Sequence, residues 1–175
     1  MNKVIVIGSG GAGKSTFSRQ LGERTGLPVF HLDALNWRPG WVATPKDEWD
    51  ELMNKLVRNE AWIIDGNYGR TLDTRLQAAD TIIFLDMPTS LCMYRVIKRR
   101  VMYHGRTRPD LNEGCPERLD LGFIRWIWSY RRTSRPALLN RLALLKEGQT
   151  VIILRSPREV RSYLEQIPVV GRNAL

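Results

Sequence analysis

A chain of 175 residues with 43% hydrophobic content and no long apolar run predicts one compact domain over 1–175 and no transmembrane helix. A formal charge of +9, from 27 lysines and arginines against 18 acids, points to a polyanionic partner, either a nucleotide or a nucleic acid. Cys92 and Cys115 lack metal-type spacing and an evident disulfide role, and the N-terminus runs straight into a strand rather than a secretory signal, so a reduced, cytoplasmic setting is expected.

The β-branched run Val4-Ile5-Val6-Ile7 reads as a buried strand. It leads into Gly8-Ser9-Gly10-Gly11-Ala12-Gly13-Lys14-Ser15, which fits G-x-x-x-x-G-K-[ST] in full, and Thr16 follows inside a helix carrying Phe17 and Leu21. Glycines let successive N–H groups turn inward, and the helix N-terminus adds the positive end of its dipole, so this loop is expected to cradle phosphates. Lys14 then reaches the β- and γ-phosphates of ATP, and the Ser15 hydroxyl ligates Mg²⁺.

Pro28 to Leu32 reads as the second strand, ending at Asp33. In a parallel sheet, ligands gather at the carboxyl ends of strands, so Asp33 is expected at the same crevice as the phosphate loop, although an N-cap or turn role fits it too. Asn36 to Trp41 carries Trp37 and Trp41, which either face a ligand by stacking or pack on the core. Thr44-Pro45 predicts a helix start with Thr44 as N-cap, and Trp49, Leu52, Met53, Leu56 and Val57 form its apolar stripe.

Ala61 to Asp65 is the third predicted strand, closed by an acid of the kind that serves Mg²⁺ in phosphate-loop proteins. Gly66-Asn67-Tyr68-Gly69-Arg70 follows, with Asn67 and Arg70 as acceptor-side candidates; an exposed helix-start arginine is the plainer reading of Arg70. Thr81 to Asp86 is the fourth strand. Pro88-Thr89 opens a helix with Leu91, Tyr94 and Ile97 as apolar positions and a basic end. Residues 103–122, rich in Gly, Pro and Arg, predict a mobile lid. Phe123 to Leu145 predicts a long helix interrupted at Pro136, Thr150 to Leu154 the fifth strand, and Val160 and Leu164 a last helix before a loosely held tail after Pro168. Arginines thus gather between Arg95 and Arg135, around the lid.

This alternation of five strands and helices, with the phosphate loop first and an arginine-rich lid before the last strand, resembles the adenylate kinase-like branch of phosphate-loop kinases, which includes shikimate and gluconate kinases. The resemblance implies an α/β, three-layer fold with a five-stranded parallel sheet. Arg95-Val96-Ile97-Lys98-Arg99-Arg100 is similar to the entry of the adenylate kinase lid, which implies that Arg95 stacks on adenine and Arg99 contacts ATP phosphates. Arg155 to Arg158 occupies the place of that family's adenine-contacting loop, which implies nucleotide contacts at Pro157 and Arg158. Asp65-Gly66 with Arg70 resembles the adenylate kinase element in which Asp serves the metal and Arg the acceptor. His31-Leu32-Asp33-Ala34-Leu35-Asn36-Trp37 together with Trp62 to Tyr68 is similar to bacterial DNA topology modulation proteins, small kinase-like chains.

The expectation is therefore an ATP- and Mg²⁺-dependent phosphotransferase acting on a nucleoside, nucleotide or other small hydroxyl acceptor. Lys14, Arg99 and Arg125 or Arg132 would neutralise the transferring group, and Asp33 would orient or deprotonate the acceptor. A nucleotide-dependent DNA-binding regulator and a slow ATPase remain alternatives, nucleic acid being expected to bind only non-specifically. Monomer and dimer are both open.

Overall fold

The apolar runs become the strands of one parallel sheet because the three central ones are buried on both faces and each strand needs a helical crossover to reach its neighbour. The computed structural model describes residues 1–106, 108, 111–117 and 120–170. Thr107 and Pro109 of the expected lid, residues 110, 118 and 119, and tail residues 171–175 lie outside the described residues. In chain order the elements are β1 (Lys3–Gly8), α1 (Lys14–Thr25), β2 (Val29–His31), α2 (Leu32–Asn36), β3 (Trp37–Arg38), β4 (Val42–Ala43), α3 (Lys46–Leu56) and β5 (Trp62–Asp65). They continue as α4 (Leu72–Ala78), β6 (Thr81–Leu85), α5 (Thr89–Met102), α6 (Leu121–Ser129), α7 (Ser134–Ala143), β7 (Thr150–Leu154) and α8 (Pro157–Gln166).

The sheet order is β2-β5-β1-β6-β7, all parallel, and β3 and β4 form a separate antiparallel hairpin. The strands predicted from the apolar runs are therefore present, and the fold is the expected three-layer α/β arrangement. Alternation along β1 shows how the layers divide. Ile5 and Ile7 join Trp62, Ile64, Ile82 and Phe84 in a core roofed by α3, α4 and α7. Val4 and Val6 join Ile63, Ile83 and Leu85 beneath α1, α5 and α8, with Ile127 of α6 alongside. Among the described residues no helix is long and apolar enough to cross a membrane.

Several local expectations need correction. Thr44 does not cap α3: its hydroxyl donates to the carbonyls of Leu35 (3.2 Å) and Asn36 (3.1 Å), closing the hairpin, and Pro45 takes the cap position. Tyr94 and Ile97 are exposed, because the inward phase of α5 is set by Cys92 and Val96, which pack under the phosphate loop. The long helix is two, separated at residues 130–133, and Pro136 lies within the first turn of α7. The second strand stops at His31, so Asp33 sits in the one-turn helix α2. The described part of the tail is tied down: Val170 N–H donates to the Arg24 carbonyl (2.7 Å) and the Arg24 guanidinium to the Ile167 carbonyl (3.1 Å).

The loop after β5 is held by a residue that the pattern reading passed over. Arg75 of α4 is fully buried, and its guanidinium donates to the carbonyls of Gly66 (2.8 Å), Asn67 (2.8 Å), Tyr68 (3.0 Å) and Thr71 (3.3 Å). Burial lowers its pKa to about 10, against the pull of Tyr68 and Asp65. Removing such a donor leaves several carbonyls buried without partners. Arg75→Met should therefore cost about 3 kcal/mol or more, seen as a lower urea midpoint at unchanged slope. Arg70→Ala, which breaks only an exposed pair, should barely move that midpoint.

Candidate active site

The phosphate loop takes its shape from close backbone contacts. Gly11 has φ +76°, and a Cβ there would lie 2.4 Å from the Cys92 carbonyl oxygen; at Gly8 (φ +150°) it would lie 2.6 Å from that of Leu85. Both positions need glycine. Gly13, also left-handed, precedes α1, and no side chain caps that helix start, which borders the cavity. Gly10 to Thr16 line one cavity of about 980 Å³, while Gly8 and Ser9 form the buried root of the loop. The Lys14 ammonium donates to the Gly8 (2.9 Å) and Ser9 (3.0 Å) carbonyls. Burial lowers its pKa, and Asp33 and Asp65 pull it back up, so both carboxylates act on Lys14.

Sheet order explains how those acids arrive. With β5 between β2 and β1, Asp65 pairs in register with His31 on one side and Val6 on the other, two residues before Gly8. Asp65 is 3% exposed and lies 2.9 Å from His31 Nδ1. Asp33, one turn beyond β2, accepts a 2.9 Å hydrogen bond from the Tyr68 hydroxyl. Burial and the nearby Asp33 charge raise the Tyr68 pKa far above its usual value, so the phenol stays a donor. The Asn67 side chain is turned to the phosphate loop: it accepts from Gly8 N–H (3.2 Å) and donates to the Gly8 carbonyl (2.8 Å). Expected as an acceptor contact, it is bonded instead to the root of that loop, although it also borders the cavity.

The fourth strand also ends in an acid, but Asp86 is held by a fork from Arg135 (2.8–3.1 Å) and does not line the cavity. Of the two strand-end acids flanking β1, only Asp65 faces the ligand space.

The arginines divide just as sharply. Arg95 lines the cavity and donates to the Ala12 carbonyl (3.0 Å), and Arg99 lines it beside Glu117, whose carboxylate is 2.9 Å from Arg99 Nε and 2.8 Å from Arg108 Nε. Arg108, buried and unsignalled by any sequence pattern, is an addition to the site. Arg125 and Arg132 are exposed and do not line the cavity. The inward stripe of α6 is Phe123, Trp126 and Ile127, which puts Arg125 out of phase, and Arg132 falls in the turn after α6. Arg70 pairs with Asp50 at the surface (2.9 Å), away from the cavity. At the start of α8, Pro157 borders the cavity but Arg158 does not; Arg161, one turn on, does.

The hairpin tryptophans also border the cavity, with Trp37 and Trp41 packed edge to face at 5.5 Å. Trp41 (φ 63°) and Tyr68 (φ 22°) are the non-glycine residues with positive φ among those described. Such strain costs on the order of 1–3 kcal/mol per residue and persists only where surrounding contacts enforce it. Here the Trp41 indole donates to the Pro116 carbonyl (3.1 Å), and Tyr68 lies on Trp49 at 4.9 Å. Further bonds join the hairpin region to the lid: Gly40 N–H to the Gly114 carbonyl (2.9 Å), and the Asn112 amide to the carbonyls of Ala34 (2.6 Å) and Trp37 (2.9 Å). The described part of the lid is thus fastened to the hairpin region rather than free.

A scan against protein-family models returns no match, and neither does a search of curated protein sequences. Among solved structures, the chain is similar to shikimate kinase from Acinetobacter baumannii in complex with shikimate. The TM-score is 0.61 at 17% identity, over 95% of this chain and 90% of that one. It is also similar to shikimate kinase from Bacteroides thetaiotaomicron, with a TM-score of 0.54 at 13% identity over 93% of each chain. The chain has the three-layer α/β fold of these shikimate kinases.

Proposed function

We propose that the chain is a small-molecule kinase that binds ATP on the Gly8–Ser15 loop and transfers its γ-phosphoryl group to a hydroxyl held at Asp33. The observation that carries this reading is a single cavity bordered by an uncapped helix start, Lys14, two buried-side carboxylates and Arg99. A phosphate donor and a hydroxyl acceptor need those groups in one water-poor space. The likeness to shikimate kinases supports the fold half of the reading.

Ser15 and Asp65 border the same cavity, and no group of three or more His, Cys, Asp or Glu able to hold a metal occurs among the described residues. One hydroxyl and one carboxylate suit Mg²⁺, which keeps several waters and takes its remaining ligands from substrate phosphates. When bound, Mg²⁺ would neutralise charge on the phosphates. In the transfer itself, the acceptor oxygen bonds to the γ-phosphorus as the bond to the β–γ bridging oxygen breaks. ADP leaves, and the acceptor proton passes to the Asp33 carboxylate. Tyr68 orients that carboxylate, while Lys14 and Arg99 stabilise charge on the transferring group. Arg95 and Pro157 lie where they can flank the nucleotide.

Lys14→Ala should lower turnover by about 10²-fold or more and weaken Mg·ATP binding in calorimetry, with the fold retained by circular dichroism. Unchanged ATP affinity and turnover would refute the reading. Asp33→Ala should leave ATP binding intact while abolishing acceptor phosphorylation, and Asp65→Asn should raise the Mg²⁺ concentration needed for half-maximal rate. Arg99→Ala should slow transfer by about 10³-fold, the scale of an arginine acting on a transferring phosphoryl group. Arg125→Ala and Arg132→Ala should match the parent in steady-state assays, a contrast that a diffuse basic surface could not produce.

A further inference from the structure

The acceptor end of the cavity has a composition that narrows what it can take. Its lining residues between 31 and 68 are His31, two acids and the aromatic rings of Trp37, Trp41 and Tyr68, with Gly66 and Asn67. No lysine or arginine of that stretch lines the cavity among the described residues. The arginines near it are turned elsewhere: Arg38 pairs with Glu48, Arg70 with Asp50, and Arg75 with backbone carbonyls. Arg108 lines the same cavity, but its guanidinium is engaged by the buried Glu117 carboxylate, 2.8 Å from Nε. An anionic acceptor brought to Asp33 would meet two carboxylates, while the cation that acts on them, Lys14, is bonded to the phosphate loop. Like charges brought together in a partly buried site repel several times more strongly than in water.

The aromatic walls carry a second, independent signal. Both positive-φ aromatics, Trp41 and Tyr68, border this end of the cavity, and each is held in place, Trp41 by the Pro116 carbonyl and Tyr68 by Asp33 and Trp49. Backbone strain is thus maintained at two ring-bearing positions on the wall of the cavity that Asp33 also lines. Rings in such positions stack on, or lie against, the face of another ring.

From these observations, and resting on the kinase reading above, we infer that the acceptor is an uncharged hydroxyl compound with a ring face, laid against Trp37 and Trp41 with its hydroxyl on Asp33. Two sources share that chemistry: a nucleoside, through its base, and an uncharged sugar or cyclitol, through the C–H face of its ring.

The test is a set of matched pairs assayed for ATP-dependent phosphorylation by the full chain: adenosine against adenosine monophosphate, and glucose against gluconate. The expected result is that the uncharged member of at least one pair is phosphorylated with kcat/KM at least tenfold above its anionic partner. The active pair then tells nucleoside from sugar. With that acceptor, Trp37→Ala should raise KM by roughly tenfold with kcat and the KM for ATP little changed, and Trp37→Phe should restore most of the loss. Preference for the anionic member of either pair, an unchanged acceptor KM in Trp37→Ala, or turnover of none of the four compounds with Mg·ATP bound normally would each overturn the inference. Failure of the kinase reading beneath it is a separate result: Mg·ATP affinity and turnover that do not respond to Lys14→Ala.

Discussion

One fully buried guanidinium holds the reactive half of this molecule together. Arg75 has no carboxylate partner; it is paid for in hydrogen bonds to the Gly66, Asn67, Tyr68 and Thr71 carbonyls. The loop it gathers carries three separate tasks. It starts at Asp65, which faces the ligand space; it turns Asn67 back onto Gly8 at the root of the phosphate loop; and it presents the Tyr68 hydroxyl to Asp33. The φ of 22° at Tyr68 is tolerated because that clamp and the contact with Trp49 fix the residue from two sides. The root of the phosphate loop, Asp65 and Asp33 are therefore tied to one loop that a single packed arginine holds.

Much of this was legible in the sequence, for physical reasons that also explain what was not. Strands in a parallel sheet reveal themselves as unbroken apolar runs, so β1, β5, β6 and β7 could be anticipated, and with them the location of Gly8–Ser15 and Asp65. Acids at strand ends were visible too, but pattern alone does not tell Asp65 from Asp86. The difference is Arg135, brought to Asp86 from 49 residues away. Arginine roles were the least legible. A guanidinium on a long stem takes whatever acceptor the tertiary fold offers, so Arg70 meets Asp50, Arg108 meets Glu117 and Arg75 meets backbone, with no local signature of any of these. Helix phase misled in a smaller way. Leu91, Tyr94 and Ile97 make a plausible stripe on α5, yet the phosphate loop packs on Cys92 and Val96, because only small or β-branched groups let Gly11 approach that close.

The composition pointed to a polyanionic partner, and the fold pairs off much of that charge. Arg38, Arg70, Arg99, Arg108 and Arg135 each face a carboxylate, so the surplus seen in a residue count overstates the field offered to an outside polyanion. What remains concentrated is the wall formed by Lys14, Arg95 and Arg99 around the phosphate loop. Within that wall Glu117 matters as much as the cations. It is buried between Arg99 and Arg108, an anion standing among groups that suit phosphate oxygens.

That arrangement also bears on how water is kept from the reaction. On the proposed reading, a γ-phosphoryl group must be presented to a hydroxyl and not to solvent, which requires walls that stay in place when the acceptor binds. Here the wall on the acceptor side is not a free flap: the hairpin bearing Trp37 and Trp41 is hydrogen-bonded to residues 112, 114 and 116, and the buried Cys115 thiol donates to the Arg38 carbonyl at 3.2 Å. Hairpin and lid are consequently one layer, so a movement of either carries the other. Glu117 lies in that layer and Arg99 on α5, which makes their ion pair a link between the aromatic wall and the nucleotide wall. Arg99 on α5 and Arg108 of the lid are thus joined through one buried carboxylate, which ties the two walls of the cavity together.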